Sequence, residues 1–288
     1  MKSSNPYLSV LMTSYNRELY ISESILSILN QSFRNFELII VDDASSDTTV
    51  SIAKYYEKVD SRIKVYVNSQ NLGDYPNRNL AASYATGDYI IFCDSDDSLN
   101  QNALEYIVDS FNSNPEAKHS SIYYGPANSP FLMDSRDAIQ THFFKSNILS
   151  CGPSARVFKT EFYKGMNGYP QKYGPANDMY FNIKTTSNSP ILLLPYSYLN
   201  YRIHEGQESN NLYSYIHNGY NYFKDVLSLE EVPLSDDKKL YLLKKNKRRF
   251  IVNSFKYFFT TFSICKTIKL FKIVNFSAQD FFVGIFQF

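Results

Sequence analysis

Three short stretches carry side chains able to do chemistry. Asp94-Ser95-Asp96-Asp97 sets carboxylates two residues apart directly after an apolar run at 89–93. Released from a buried strand into a loop, such a pair suits a hard divalent cation, Mg²⁺ or Mn²⁺. These ions take one or two carboxylates and complete their shell with phosphate oxygens and water. The same acids could instead cap a helix starting near Asn100. An EF-hand is excluded, because Leu99 stands where that loop needs glycine. Asp42-Asp43 closes a second apolar run at 36–41, and the polar loop Thr13-Ser14-Tyr15-Asn16-Arg17 follows a third at 8–12. No Gly-x-Gly-x-x-Gly follows the first run, and no Gly-x-x-x-x-Gly-Lys-Ser/Thr occurs anywhere. That argues against a dinucleotide oxidoreductase and a P-loop nucleotidase. A cation bridging a diphosphate is then the simplest way to hold a nucleotide.

These loops meet only if the apolar runs are neighbouring parallel strands, and the intervening segments support that. Ile21, Ile25, Ile28 and Leu29 have the spacing of an amphipathic helix over 18–31. Ser45-Ser46-Asp47 offers an N-cap for a helix over 48–59. A strand at 63–67, a helix over 75–85, the strand at 89–93 and a helix over 100–112 continue the alternation. Strand–helix repetition of this kind predicts right-handed crossovers and an α/β fold with a mostly parallel sheet covered by helices on both faces. Ligands then sit beyond the C-terminal strand ends, where all three polar loops lie. After Pro115 the pattern loosens: strands near 121–124 and 155–158, loop and short helix over 125–153, helices at 161–164 and 178–185, and one or two strands within 191–202. From Tyr213 the chain reads as helical, with a break at Pro233. The expected organisation is a compact domain over 1–210 and a helical extension over 211–288.

In chain order, Leu11-Met12-Thr13-Ser14-Tyr15-Asn16-Arg17, Gln31-Ser32-Phe33, Glu37 to Asp47, Asn71-Leu72-Gly73, Arg78-Asn79, Gly87-Asp88-Tyr89-Ile90 and Asp94-Ser95-Asp96-Asp97 resemble the inverting family 2 glycosyltransferases of the GT-A fold, which is Rossmann-like. The match is strong to about residue 115, thinner from 150 to 205 and absent from the tail. The resemblance implies a nucleoside diphosphate sugar as donor, of UDP or dTDP type, with a divalent cation, Mg²⁺ or Mn²⁺, as cofactor. It places Thr13 and Tyr15 around base and ribose, Asp43 on a base N–H, Arg78 near the diphosphate, and Asp94 at the ribose or metal shell. Asp96 becomes the main metal ligand, and His204, in Tyr201-Arg202-Ile203-His204, sits near the diphosphate or metal. Asp178 becomes the general base, although the family's usual acidic pair reads Asn177-Asp178 here. Plainer roles stand beside each: Asp43 holding a turn, Tyr15 packing, Arg78 in a structural ion pair, Asp178 as an N-cap. The implied acceptor is a glycan or lipid-linked glycan, in cell-surface polysaccharide synthesis. A non-catalytic nucleotide-binding module docking through its tail is the alternative. A sugar nucleotidyltransferase is disfavoured because 13–17 contains no glycine.

The 288 residues carry 29 Lys+Arg and 28 Asp+Glu, with 44% hydrophobic residues, outside the disordered regime. The balance is local, not uniform. Residues 238–288 hold eleven basic residues and one acid, Asp280, together with eleven phenylalanines. A basic aromatic helical segment fits a membrane surface, and it equally fits a helix packed on the acidic front of the chain. Nucleic acid is not indicated, because no binding motif accompanies the charge. Three scattered cysteines, no stretch of 18 apolar residues and no secretory signal point to a cytoplasmic protein, peripheral on the inner membrane face if the tail binds lipid.

Overall fold

The computed structural model describes residues 7–203 and 211–287. Four parallel strands form one half of an eight-stranded sheet: β1 (Leu8–Ser14), β2 (Phe36–Asp42), β3 (Ile63–Val67) and β4 (Tyr89–Phe92). Every residue of β2 is buried, as expected for a parallel strand covered on both faces. The helices between them are α1 (Ile21–Leu29), α2 (Thr49–Val59) and α3 (Asp74–Tyr84). Alternation along the strands divides the core. Val10, Met12, Leu38, Ile40 and Ile91 face Ile21, Ile25, Ile28 and Ala53 on one side. Leu11, Ile39, Val41, Ile90 and Phe92 face Tyr75, Ala81 and Ala82 on the other.

The register aligns the strand ends. Ser14 lies opposite Asp42, and Leu11 opposite Phe92, so residues 13–17, 42–43 and 94–97 leave the sheet along one rim. After β4 come β5 (Ser98–Leu99), α4 (Ala103–Asn112), β6 (His119–Ile122), β7 (Phe131–Met133), α5 (Ser135–Phe144), β8 (Arg156–Lys159), α6 (Thr160–Gly165), α7 (Asn177–Asn188), β9 (Ile191–Leu194) and β10 (Leu199–Asn200). The sheet order is β3-β2-β1-β4-β8-β6-β9-β7, with β8 antiparallel to both neighbours. β5 and β10 pair separately, which is why α4 begins three residues later than its periodicity suggested. The stretch 125–153, expected as loop and short helix, holds β7 and the ten-residue α5. Asp134 caps that helix by accepting from the Arg136 and Asp137 amides.

The tail consists of α8 (Leu212–Leu227), α9 (Asp236–Thr261), α10 (Ile264–Ile273) and α11 (Ala278–Phe286). Phe223, Val226, Leu227 and Leu242 pack with Ile139, Ile183 and Leu193 of the main domain. Beyond that seam the tail has a small core of its own, built from Ile216, Tyr220, Phe250, Tyr257, Leu270 and Val274. Among the described residues no helix is long and apolar enough to cross a membrane.

Candidate active site

Asp42 and Asp43 leave β2 in opposite roles from those of free acids. Asp42 is fully buried and accepts from Ser14 Oγ (2.9 Å), Ser45 N (2.8 Å) and Ser45 Oγ (2.6 Å). It ties the end of β2 to the end of β1. Asp43 accepts from Asn68 Nδ2 (2.8 Å), Leu72 N (2.8 Å) and Gly73 N (2.9 Å). It anchors the 68–73 loop that leads into α3. Gly73 has φ +89°, a backbone state only glycine adopts without strain, and this turn presents its amide to the carboxylate. Thr13 lies half-buried at the same edge and Tyr15 is 47% exposed on the 13–17 loop.

Next along the rim are the carboxylates after β4. Ligand oxygens of Asp94, Asp96 and Asp97 all lie within 4.8 Å of one another. The loop holding them is pinned twice: Ser95 Oγ donates to the Thr13 carbonyl (2.8 Å) and Ser24 Oγ donates to the Ser95 carbonyl (3.0 Å). Two arginines flank the cluster. Arg17 Nε reaches Asp96 Oδ2 at 2.9 Å, and buried Arg78 places Nε on Asp74 Oδ1 (2.7 Å) and Nη1 on Asp94 Oδ1 (2.6 Å). Asp97 is buried and takes the Arg202 amide at 2.9 Å. Burial, then the charge of Asp94, pushes its carboxyl up to about 7. Three converging oxygen donors, one of them reluctant to ionise beside its neighbours, form a donor set that fits a hard divalent cation. The acids do not cap α4; Gln31 Oε1 takes the Leu104 amide there instead.

Asp178 lies in the first turn of α7, 7% exposed. Its Oδ1 accepts from the Met179 amide at 2.6 Å. Burial is the main cause that pushes its carboxyl up to about 7; the Asp74 carboxylate adds to this, while Arg78 and the Tyr75 hydroxyl oppose it. Those neighbours locate it: Asp178 shares the electrostatic surroundings of the Asp74–Arg78–Asp94 chain. Asn177, in place of a second acid, does structural work. Its Oδ1 accepts from Tyr173 N (2.9 Å) and its Nδ2 donates to the Gly174 carbonyl (2.7 Å), shaping the turn before α7.

The fold therefore gathers Thr13, Tyr15, Asp43, Arg78, Asp94, Asp96 and Asp178 at one end of the sheet. His204 lies outside the described residues. Three side chains at the site carried no role in the sequence reading: Arg17, Asp74 and Asp97. Asp74 had a visible signal, since it stands four residues before Arg78 on the same helix. Arg17's partner is 79 residues away, which no local pattern reports.

Comparison with known proteins agrees with this geometry. The family model described as Glycosyl transferase family 2 matches residues 9–166. A similar curated relative is the Escherichia coli UDP-Glc:alpha-D-GlcNAc-diphosphoundecaprenol beta-1,3-glucosyltransferase WfgD, 47% identical over 98 residues, 34% of this chain and 38% of that protein. The chain thus spans well under half the length of that relative. Among solved structures, S. aureus TarS 1-349 in complex with UDP-GlcNAc superposes with a TM-score of 0.74 at 22% identity, covering 96% of this chain and 81% of that one. The mannosyltransferase PcManGT from Pyrobaculum calidifontis, in complex with GDP-Man and Mn²⁺, gives 0.62 at 15% identity, covering 99% and 85%. The structural matches share the fold, and the family match spans more than half the chain, including the β1, β2 and β4 rim: the chain belongs to glycosyl transferase family 2.

Proposed function

We propose that the chain transfers a sugar from a nucleoside diphosphate sugar to an acceptor hydroxyl with inversion at the anomeric carbon. The observation that carries this reading is a buried carboxylate, Asp178, held near neutrality beside an arginine that is itself bound to the acidic rim. An exposed aspartate is too weak a base for a sugar hydroxyl. One whose carboxyl is pushed up to about 7 accepts a proton more readily and is still substantially ionised at neutral pH. Asp178 takes the hydroxyl proton as the acceptor oxygen bonds to the anomeric carbon. The bond from that carbon to the diphosphate breaks on the opposite face, and the leaving diphosphate takes the electron pair. Direct displacement needs only this base and no covalent intermediate.

Arg78 is positioned to stabilise the leaving group, because its fixed guanidinium is already desolvated and oriented by Asp74 and Asp94. Asp96 and Asp94, with Asp97 behind them, would hold a divalent cation, which when bound offsets charge on the diphosphate. Thr13 and Tyr15 line the side from which a base and ribose would enter, and Asp43 stiffens that wall. A UDP-type donor is supported by the UDP-GlcNAc complex of TarS, and a lipid-linked acceptor by the name of WfgD. The test is release of UDP from UDP-sugars by the purified chain, with and without Mn²⁺ and a diphosphate-lipid acceptor. Acceptor-dependent UDP release with an inverted product supports the proposal. No turnover with any donor, despite nucleotide binding, would leave a non-catalytic module.

A further inference from the structure

The tail leaves an apolar surface uncovered. On α9 the exposed positions Val252, Phe255 and Phe259, continued by Phe262 at its C-cap, follow at intervals of three and four, one stripe along the helix. Phe258 joins it, its ring 5.3 Å from Phe259 and 6.4 Å from Phe262. On α10, Ile264 and Ile268 are exposed, and on α11 so are Phe282, Ile285 and Phe286, with the two rings 5.3 Å apart. The α9 and α11 stripes meet where Phe255 approaches Phe281. Gly284 permits this packing, since a Cβ there would come within 3.2 Å of the Arg248 amide of α9.

The same helices carry exposed cations. Lys256, Lys266, Lys269 and Lys272 are exposed on α9 and α10. The one acid within residues 238–288, Asp280, is already occupied by Lys247 at 2.7 Å and by its own capping box with Ser277. The elbow between α9 and α10 adds an independent observation. Phe262 sits there with φ +49° and 77% of its surface exposed. A bulky residue is strained in that left-handed region, where Gly or Asn is comfortable. Among the described residues its ring meets one other ring, that of Phe258 at 6.4 Å.

We infer that the outer face of α9, α10 and α11 docks on a phospholipid bilayer carrying anionic headgroups. Charge complementarity selects this occupant: lysines engage the headgroups while Phe and Ile enter the acyl boundary. The inference does not rest on the transfer reaction, because binding is read without turnover. It complements that reading, since a bilayer is where a lipid-linked acceptor would be met.

The test is co-sedimentation of the 288-residue chain with vesicles of phosphatidylcholine alone and of phosphatidylcholine mixed with phosphatidylglycerol. Binding should require phosphatidylglycerol and fall with added salt. Replacing Lys266, Lys269 and Lys272 together by Gln should weaken it by roughly a hundredfold, at about fivefold per surface cation. Phe262→Asn separates docking from structure: it relieves the backbone, so the melting temperature should hold or rise while vesicle affinity drops. Absence of binding to the mixed vesicles overturns the inference. So does a Phe262→Asn protein that binds normally. A chain that is dimeric in solution and becomes monomeric in the Phe262→Asn, Phe286→Ser variant also overturns it, since the face would then belong to a second copy.

Discussion

Replacing Asp178 by Asn should make the protein more stable and inactive, with a pH signature for each effect. Asp178 is raised from 3.8 to about 7. At 1.36 kcal/mol per pH unit, ionising it in the folded state costs up to about 4 kcal/mol. The raised value means the folded state holds this proton more tightly than the unfolded chain. Stability linked to Asp178 is therefore complete below the unfolded value near 4 and is lost as pH rises to about 7. Asn keeps the acceptor oxygen for the Met179 amide but never ionises. The variant should match wild type near pH ~4 and exceed it by up to ~4 kcal/mol above pH ~7. At about 2 °C for each kcal/mol in a chain of this size, that is a gain of up to ~8 °C in Tm. Thermal melts across this range measure it. Transfer by wild type should rise through neutral pH as the carboxylate forms. A stability difference that does not grow with pH would show that Asp178 is not a strained acid. Full transfer activity in the variant would remove it as the base.

Asp96→Asn should change the stability of the unliganded chain by less than about 1 kcal/mol, because its pair with Arg17 is partly exposed. It should abolish the Mn²⁺-dependent rise in Tm with UDP, worth about 2.7 kcal/mol at a hundredfold excess over Kd in wild type. Arg78→Lys should destabilise by about 3 kcal/mol in urea titrations, since one ammonium cannot serve both Asp74 and Asp94. Donor affinity, measured by calorimetry, should fall with it. Glu37 is buried, which alone would raise its pKa. Hydrogen bonds from Ser9 Oγ and from Thr86 N and Oγ1, with Lys64 nearby, outweigh that and hold it below the ordinary value. The stability it contributes is present above the unfolded value near ~4.3 and is lost as pH falls through the lower folded one. Glu37→Gln should accordingly cost about 2 kcal/mol at neutral pH and progressively less in acid.

The resemblance in the first hundred residues was legible because local rules act there without competition. Continuous apolar runs become buried parallel strands, and the helix expected after Ser45-Ser46-Asp47 forms as α2, although its N-cap is Thr48 and Asp47 accepts from the Thr49 amide at 3.0 Å one residue outside it. The acids at the strand ends follow from position alone once those strands are parallel neighbours. After residue 115 that logic weakened. β8 runs antiparallel between β4 and β6, and short strands such as β7 lack the length to show a period.

The residue types at the strand ends and the amphipathic character of the tail were thus determined by the sequence itself. Which groups touch was decided only by tertiary structure. Arg17 meets Asp96, Arg78 bridges Asp74 and Asp94, Asp97 is buried beneath the Arg202 amide, and Asp178 comes under the influence of Tyr75 and Arg78. In the tail, packing chose which phenylalanines are covered, hiding Phe250 and leaving Phe262 and Phe286 in the open. The reason is the same throughout. Propensity and periodicity act over a few residues, whereas ion pairs, desolvation and burial depend on distances between segments that only the folded chain brings together.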